Sequence, residues 1–235
     1  MTTKRMTPQA CLGTTVIMLS FLATVSQAGL IGALSVGTDT GYGESFEVAG
    51  SPLPGDAWFW TSQIATSEFT ASISMMGEPG TPSLGTSVQV VNGTTESMEM
   101  SIDFIMPIDM LANGELEWYG SQAVSLNGTD VILASVLDVS VWSASLGEDA
   151  FAMLLDAPFE LQVNGTGSNA TSDSSSGTLT WAGGETLSVH YLFELSGGAS
   201  VQFNGGVGLL QVPAAPSLAL LLAAGLAGRT RRRGC

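Results

Sequence analysis

From Met98 to Met110 every second residue is apolar: Met98, Met100, Ile102, Phe104, Met106, Ile108 and Met110 alternate with residues that include Glu99, Ser101, Asp103 and Asp109. A period of two puts all those apolar side chains on one face of an extended strand, whereas on a helix they would scatter around the axis. Such a strand cannot stand alone. It needs neighbours in a sheet and a second layer to cover its apolar face.

The rest of the chain supplies both. Leu187, Val189, Tyr191, Phe193 and Leu195 alternate with Ser188, His190 and Glu194. Further strands are expected at Trp58 to Ile64, Glu68 to Met75, Thr86 to Val91, Glu115 to Leu126, Asp130 to Trp142, Phe159 to Val163 and Gly177 to Trp181. Pro107 has no N–H to give a ladder, so it should end or bend its strand or lie at an edge. Asn-Gly recurs at Asn92, Asn113, Asn127, Asn164 and Asn204, and both residues tolerate the positive φ of two-residue hairpin turns. Four of these pairs follow short alternating runs at spacings of 35, 37 and 40 residues, as a repeated hairpin or recurrent turn chemistry would give. Leu146 to Asp156 predicts a helical turn or two. Glu78 to Gly85 and the Ser/Thr/Asn/Gly-rich Gly165 to Gly177 predict loops, the second a long one on the surface. The expected fold is therefore all-β: an antiparallel β-sandwich, jelly-roll-like, flanked by a signal peptide and a short transmembrane helix.

The two ends carry targeting patterns. Residues 1–28 combine Lys4 and Arg5, an apolar stretch from Cys11 to Val25, and small residues at Ser26 and Ala28. That is the layout of a secretory signal peptide, with cleavage expected after Ala28. Residues 29–211 form the body. Residues 212–235 open with Val212, Pro213 and Pro216, continue as a short Leu/Ala/Gly run, and close with Arg229, Arg231, Arg232 and Arg233. The arginines should remain on the cytoplasmic side and leave the body outside. From Pro213 to Gly228 a helix would cover only about 24 Å, short of a bilayer core of about 30 Å, which suits a transient anchor. Prolines, short apolar helix and terminal Arg cluster together resemble the PEP-CTERM sorting signal of envelope-bearing bacteria. Here Val212-Pro213-Ala214-Ala215-Pro216 stands where that family has Pro-Glu-Pro. The resemblance implies an exosortase-like processing enzyme as partner and release to the surface or polysaccharide matrix. A plain tail anchor is the other reading of the same residues.

Charge narrows the partners further. All six Lys and Arg lie in the two ends, so the body holds all 21 Asp and Glu, no Lys or Arg, and one His. No side chain there could neutralise phosphates, which excludes nucleic acid. An acidic polymer would need bridging cations. Both cysteines, Cys11 and Cys235, also fall in the ends, so the body must be held by packing alone.

Residues suited to chemistry are few. His190 shares a polar strand face with Ser188 and Glu194, and neither a nucleophile nor an orienting acid is evident for it in the sequence. Glu115 with Glu117 and Glu99 with Asp103 are carboxylate pairs of the kind glycosidases use, but acids two apart on a strand more commonly mark an exposed face. No cofactor is required by these residues. Calcium is the one ion they could serve, with Glu148, Asp149, Asp156 and Asp173 as candidate ligands. Five tryptophans bring apolar area suited to a core, and Trp142 is the one whose alternation with Asp138 and Ser140 suggests exposure and sugar stacking. The functional expectation is an exported, non-catalytic structural or adhesive protein of the cell surface or matrix. A carbohydrate- or calcium-binding module is the alternative.

Overall fold

The computed structural model describes residues 31–55, 57–78, 80–108, 114–181 and 186–212. The signal-peptide residues and the sorting signal beyond Val212 lie outside them. Among the described residues there are thirteen strands and no helix. In chain order they are β1 (Ile31–Thr38), β2 (Gly43–Ala49), β3 (Ser51–Pro52), β4 (Trp58–Ala65), β5 (Phe69–Glu78), β6 (Ser83–Asn92), β7 (Met98–Pro107), β8 (Gly114–Ser135), β9 (Trp142–Leu146), β10 (Asp149–Leu154), β11 (Glu160–Trp181), β12 (Thr186–Leu195) and β13 (Ser200–Gln211).

All pairings are antiparallel, in the order β2-β1-β7-β12-β8-β13-β6-β5-β4-β3, with β11 on β8 and the β9–β10 hairpin on β12. The sheet doubles over on itself at β8. Leu116 to Asn127 of that strand pair with β13, whereas Leu133 to Ser135 pair with β12. One layer is thus β11-β8-β13-β6-β5-β4 and the other β1-β7-β12-β9. The layers meet at a buried polar knot: the Tyr191 hydroxyl (β12) donates to Gln122 Oε1 (β8) at 3.0 Å and accepts from Thr86 Oγ1 (β6) at 2.6 Å. Around it lie Phe104, Phe193, Phe203 and the alternating face of β7, where Met98, Met100, Ile102, Phe104 and Met106 are all buried. Ile108 is buried too, and Met110 lies outside the described residues.

Three expectations give way. Leu146 to Asp156 is the β9–β10 hairpin, turned at Gly147 (φ 61°), because Ala144, Leu146, Ala152 and Leu154 each bury alternate positions. Gly165 to Gly177 is strand: β11 runs from Glu160 to Trp181 and pairs with β8 on either side of a register shift between Val163 and Thr166. Its middle is polar on both faces, so it has no alternation to betray it. Finally, among the described residues Asn-Gly does not close two-residue hairpins, and Asn113 of the Asn113-Gly114 pair lies outside them. Asn127-Gly128 lies within β8, Asn164-Gly165 within β11 and Asn204-Gly205 within β13, while Asn92-Gly93 begins the turn between β6 and β7. Gly165 (φ 74°) instead occupies a register shift in β11, and its N–H reaches Asp130 Oδ1 at 2.6 Å, where Asp130 itself has φ 53°. Positive φ here bends one long ribbon. The four alternating runs that precede Asn-Gly fall on β6, β8, β11 and β13, four successive neighbours in one layer.

Candidate functional site

The outer face of the β11-β8-β13-β6-β5 layer is assembled by register. Along β8 it presents Glu115, Glu117, Tyr119, Ser121, Ala123 and Ser125. Ser176, Ser174 and Ser172 of β11 stand opposite Tyr119, Ser121 and Ala123, and on the other side Gly208, Gly206 and Asn204 of β13 do the same. Beyond them β6 places Gly85 beside Gly206, Ser87 beside Asn204 and Gln89 beside Gln202. The Ser87 hydroxyl donates to Asn204 Oδ1 at 2.7 Å. The result is a flat field of hydroxyls and amides.

Tyr119 is the aromatic of this field. The residue is 53% exposed and its ring lies across Gly208, where any Cβ would overlap the ring carbons and hydroxyl. A glycine on the neighbouring strand is what lets the ring rest against the sheet. Beside it a shallow cleft is lined by Glu117, Tyr119, Ser176, Thr178 and Leu210, and a second by Ser121, Ala123, Ser172, Ser174 and Asn204. From Glu117 to Ala123 this track runs about 20 Å along β8. A flat aromatic face, flanked by donors and acceptors without cations, can stack on a sugar ring and hydrogen-bond its hydroxyls. Trp118, on the opposite face of β8, is partly buried against Phe151 with ring centroids 5.6 Å apart.

Trp142 cannot serve as a stacking platform, for it is completely buried. The expected strand from Asp130 to Trp142 stops at Ser135, a turn intervenes, and β9 starts at Trp142 with its indole inward, across from Tyr191. The calcium candidates are not brought together either. Glu148 and Asp149 lie at the β9–β10 turn, whereas Asp156 and Asp173 lie near the hairpin's other end. There Asp156 Oδ1 accepts from the Ser140 hydroxyl at 2.8 Å, and Asp173 Oδ2 accepts the Leu155 N–H at 2.9 Å. Among the described residues no three His, Cys, Asp or Glu side chains are grouped to hold a metal ion.

His190 does have an orienting acid, which the sequence hid. Asp103 is its cross-strand partner on β7, with Nδ1 and Oδ1 2.5 Å apart, and Ser35 of β1 donates to Asp103 Oδ2 at 3.1 Å. Both His190 and Asp103 are about a third exposed. Among the described residues no hydroxyl bonds to the His190 ring, so the row ties β1, β7 and β12 together without forming a nucleophile relay. The paired acids are also split by environment. Glu115 and Glu117 face solvent, while Glu99 is directly opposite Glu194, and its N–H donates to Asp39 Oδ1 at 3.2 Å. Burial first, then the Asp39 and Glu194 charges, raise the Glu99 pKa.

Alternation from Glu115 onward puts Tyr119 on one face with Glu117 and Ser121. The register that sets it over Gly208 is tertiary, and no local signal carries it.

No family model and no curated protein matches the chain. Similar solved structures include TmCBM61 in complex with β-1,4-galactotriose, at 10% identity and TM-score 0.28, covering 66% of this chain and 88% of that one. Another is the enzymatically active domain of bacteriophage CBA120 tailspike protein 4, at 16% identity and TM-score 0.28, covering 65% of this chain and 19% of that one. At such scores neither fold detail nor ligand transfers from them.

Proposed function

We propose that the chain is an exported, non-catalytic adhesive protein of the bacterial surface or polysaccharide matrix, and that its adhesive face is the Tyr119 field, with neutral polysaccharide as the ligand. In this reading residues 1–28 direct export. Residues 212–235 act as a PEP-CTERM-like sorting signal that spans the inner membrane until an exosortase-like enzyme processes it. A jelly-roll-like description of the body belongs to the same reading, supported by two facing layers with β8 passing from one to the other.

The observation that carries it is the Tyr119 ring resting on Gly208 amid serine hydroxyls. Neutral ligands are favoured because the body has no Lys or Arg, so an acidic polymer would meet only repulsion. Glu117 suits a neutral ligand as an acceptor for sugar hydroxyls.

Calorimetric titration of the protein recovered from cells, against a panel of neutral and acidic polysaccharides, tests the ligand. Heat with a neutral polymer that is lost in Tyr119→Ala, with no sugar released, is the expected result. Silence across the panel, undiminished binding by Tyr119→Ala, or turnover would each defeat the proposal. Mass spectrometry of the same material should find new termini after Ala28 and within residues 212–235. Intact ends on a cytosolic species would remove the export half.

A further inference from the structure

β11 has one partner strand among the described residues, β8, and its outer edge is long. Every residue from Asn164 to Ser176 is exposed except Asp173, which is half-buried. Register with β8 is unbroken from Thr166 to Trp181. An extended edge of this kind carries a row of backbone donors and acceptors, a template for another strand.

Most other edges of this sheet carry stronger guards than this one, where Asn169 Oδ1 and Asp173 Oδ1 hold the Ala170 and Ser174 N–H groups at 2.9 and 2.8 Å and turn aside when a ladder forms. β2, at one end, carries Glu44 and Glu47; β3, at the other, is two residues long and contains Pro52. β10 begins at Asp149 and is broken by a register shift between Ala150 and Ala152. Between Thr166 and Trp181 there is no Pro and no Lys, and Asp173 is the one charge. In a body of 21 acids and no Lys or Arg, this is an exposed edge on which two copies can approach with little repulsion.

We infer that β11 is a self-pairing edge, and that two copies of this chain join antiparallel along it. Pairing about a two-fold axis is self-complementary, so one strand supplies both halves of the ladder. The charge fixes the register. Centring on Asp173 would set two carboxylates face to face, whereas centring on Thr171 sets Asp173 against Asn169 of the copy. The two carboxylates then lie about 13 Å apart along the strands, beyond a Debye length of about 8 Å at physiological salt. Both faces of the segment are polar, so joining needs no further layer. The outer faces of the two copies become one field.

Sedimentation equilibrium of the protein recovered from cells should show a dimer. Thr171→Glu opposes like charges across the axis and should raise the dissociation constant at least about tenfold, while Thr171→Ser leaves it unchanged. With Cys11 and Cys235 replaced by serine, Thr171→Cys should form a disulfide between copies on mild oxidation, and Ser176→Cys should not. Tyr119→Ala should leave the dimer intact, which separates this test from that of the carbohydrate face. A monomer at concentrations up to about 100 µM, a dimer indifferent to Thr171→Glu, or failure of Thr171→Cys to cross-link would each overturn the inference. Should Thr171→Glu unfold the protein, the cysteine pair decides alone.

Discussion

Tyr191 shows what a single polar group does in this core. It is fully buried, and burial pushes its hydroxyl pKa upward, so at any ordinary pH it is a neutral donor. Its one proton goes to Gln122, which leaves Thr86 to donate to it. Replacing it with Phe strands both partners without water, at a cost of about 1–3 kcal/mol. Chemical denaturation of Tyr191→Phe should show that loss; an unchanged midpoint would mean the knot contributes nothing. Glu99 is the opposite case, a charge that the fold disfavours. Because its folded pKa is raised above the reference 4.5, the folded state holds the proton more tightly than the unfolded one. Its contribution is therefore most favourable below pH 4.5 and declines as pH rises through the raised value. Glu99→Gln should stabilise the protein at pH 7 by a few tenths of a kcal/mol, with the gain vanishing below the carboxylate range. Melting curves at pH 4 and pH 7 would reveal whether the gain follows that order.

At the scale of elements, alternation carried most of the information. β4, β5, β6, β7 and β12 could be located from their apolar parity, since each buries one face against the opposite layer. β11 could not, because its middle buries neither face and is strand only by virtue of β8. Trp142 points inward against its apparent alternation for a related reason: parity counts correctly only within one unbroken strand, and the turn after Ser135 resets it. The Asn-Gly pairs pointed to positive φ, which Gly165 adopts and Gly93 and Gly205 do not, and turn chemistry does not say whether the chain reverses. The bend in the β8–β11 ribbon is held by Asp130, whose left-handed backbone and carboxylate both serve Gly165. Asp130→Ala removes the acceptor and puts a residue with no local hydrogen bond in that conformation, costing about 1–2 kcal/mol. Asp130→Asn, which keeps an acceptor and tolerates the same φ, should cost much less. Equal losses in the two variants would show that the carboxylate charge, not the bend, matters.

For the molecule as a whole, the decisive quantity is a charge of one sign with almost nothing to offset it. In most proteins salt screens both repulsions and ion pairs, and the net effect is small. Here the body has no Lys or Arg, and among the described residues His190 with Asp103 is the one ion pair. Salt can therefore relieve repulsion among 21 acids while weakening a single partly exposed pair. Raising ionic strength from about 0.01 M to 0.15 M shortens the Debye length from about 30 Å to about 8 Å, so exposed acids farther apart than that cease to repel one another appreciably. The thermal midpoint should rise by several degrees over that range at pH 7, and the rise should shrink toward pH 4 as the carboxylates protonate. His190→Gln should leave the slope unchanged, because the pair it removes opposes the trend only slightly. A midpoint flat in salt at pH 7 would mean that the acids are spread widely enough to ignore one another. In that case β11 would gain nothing as a meeting edge from its lack of charge.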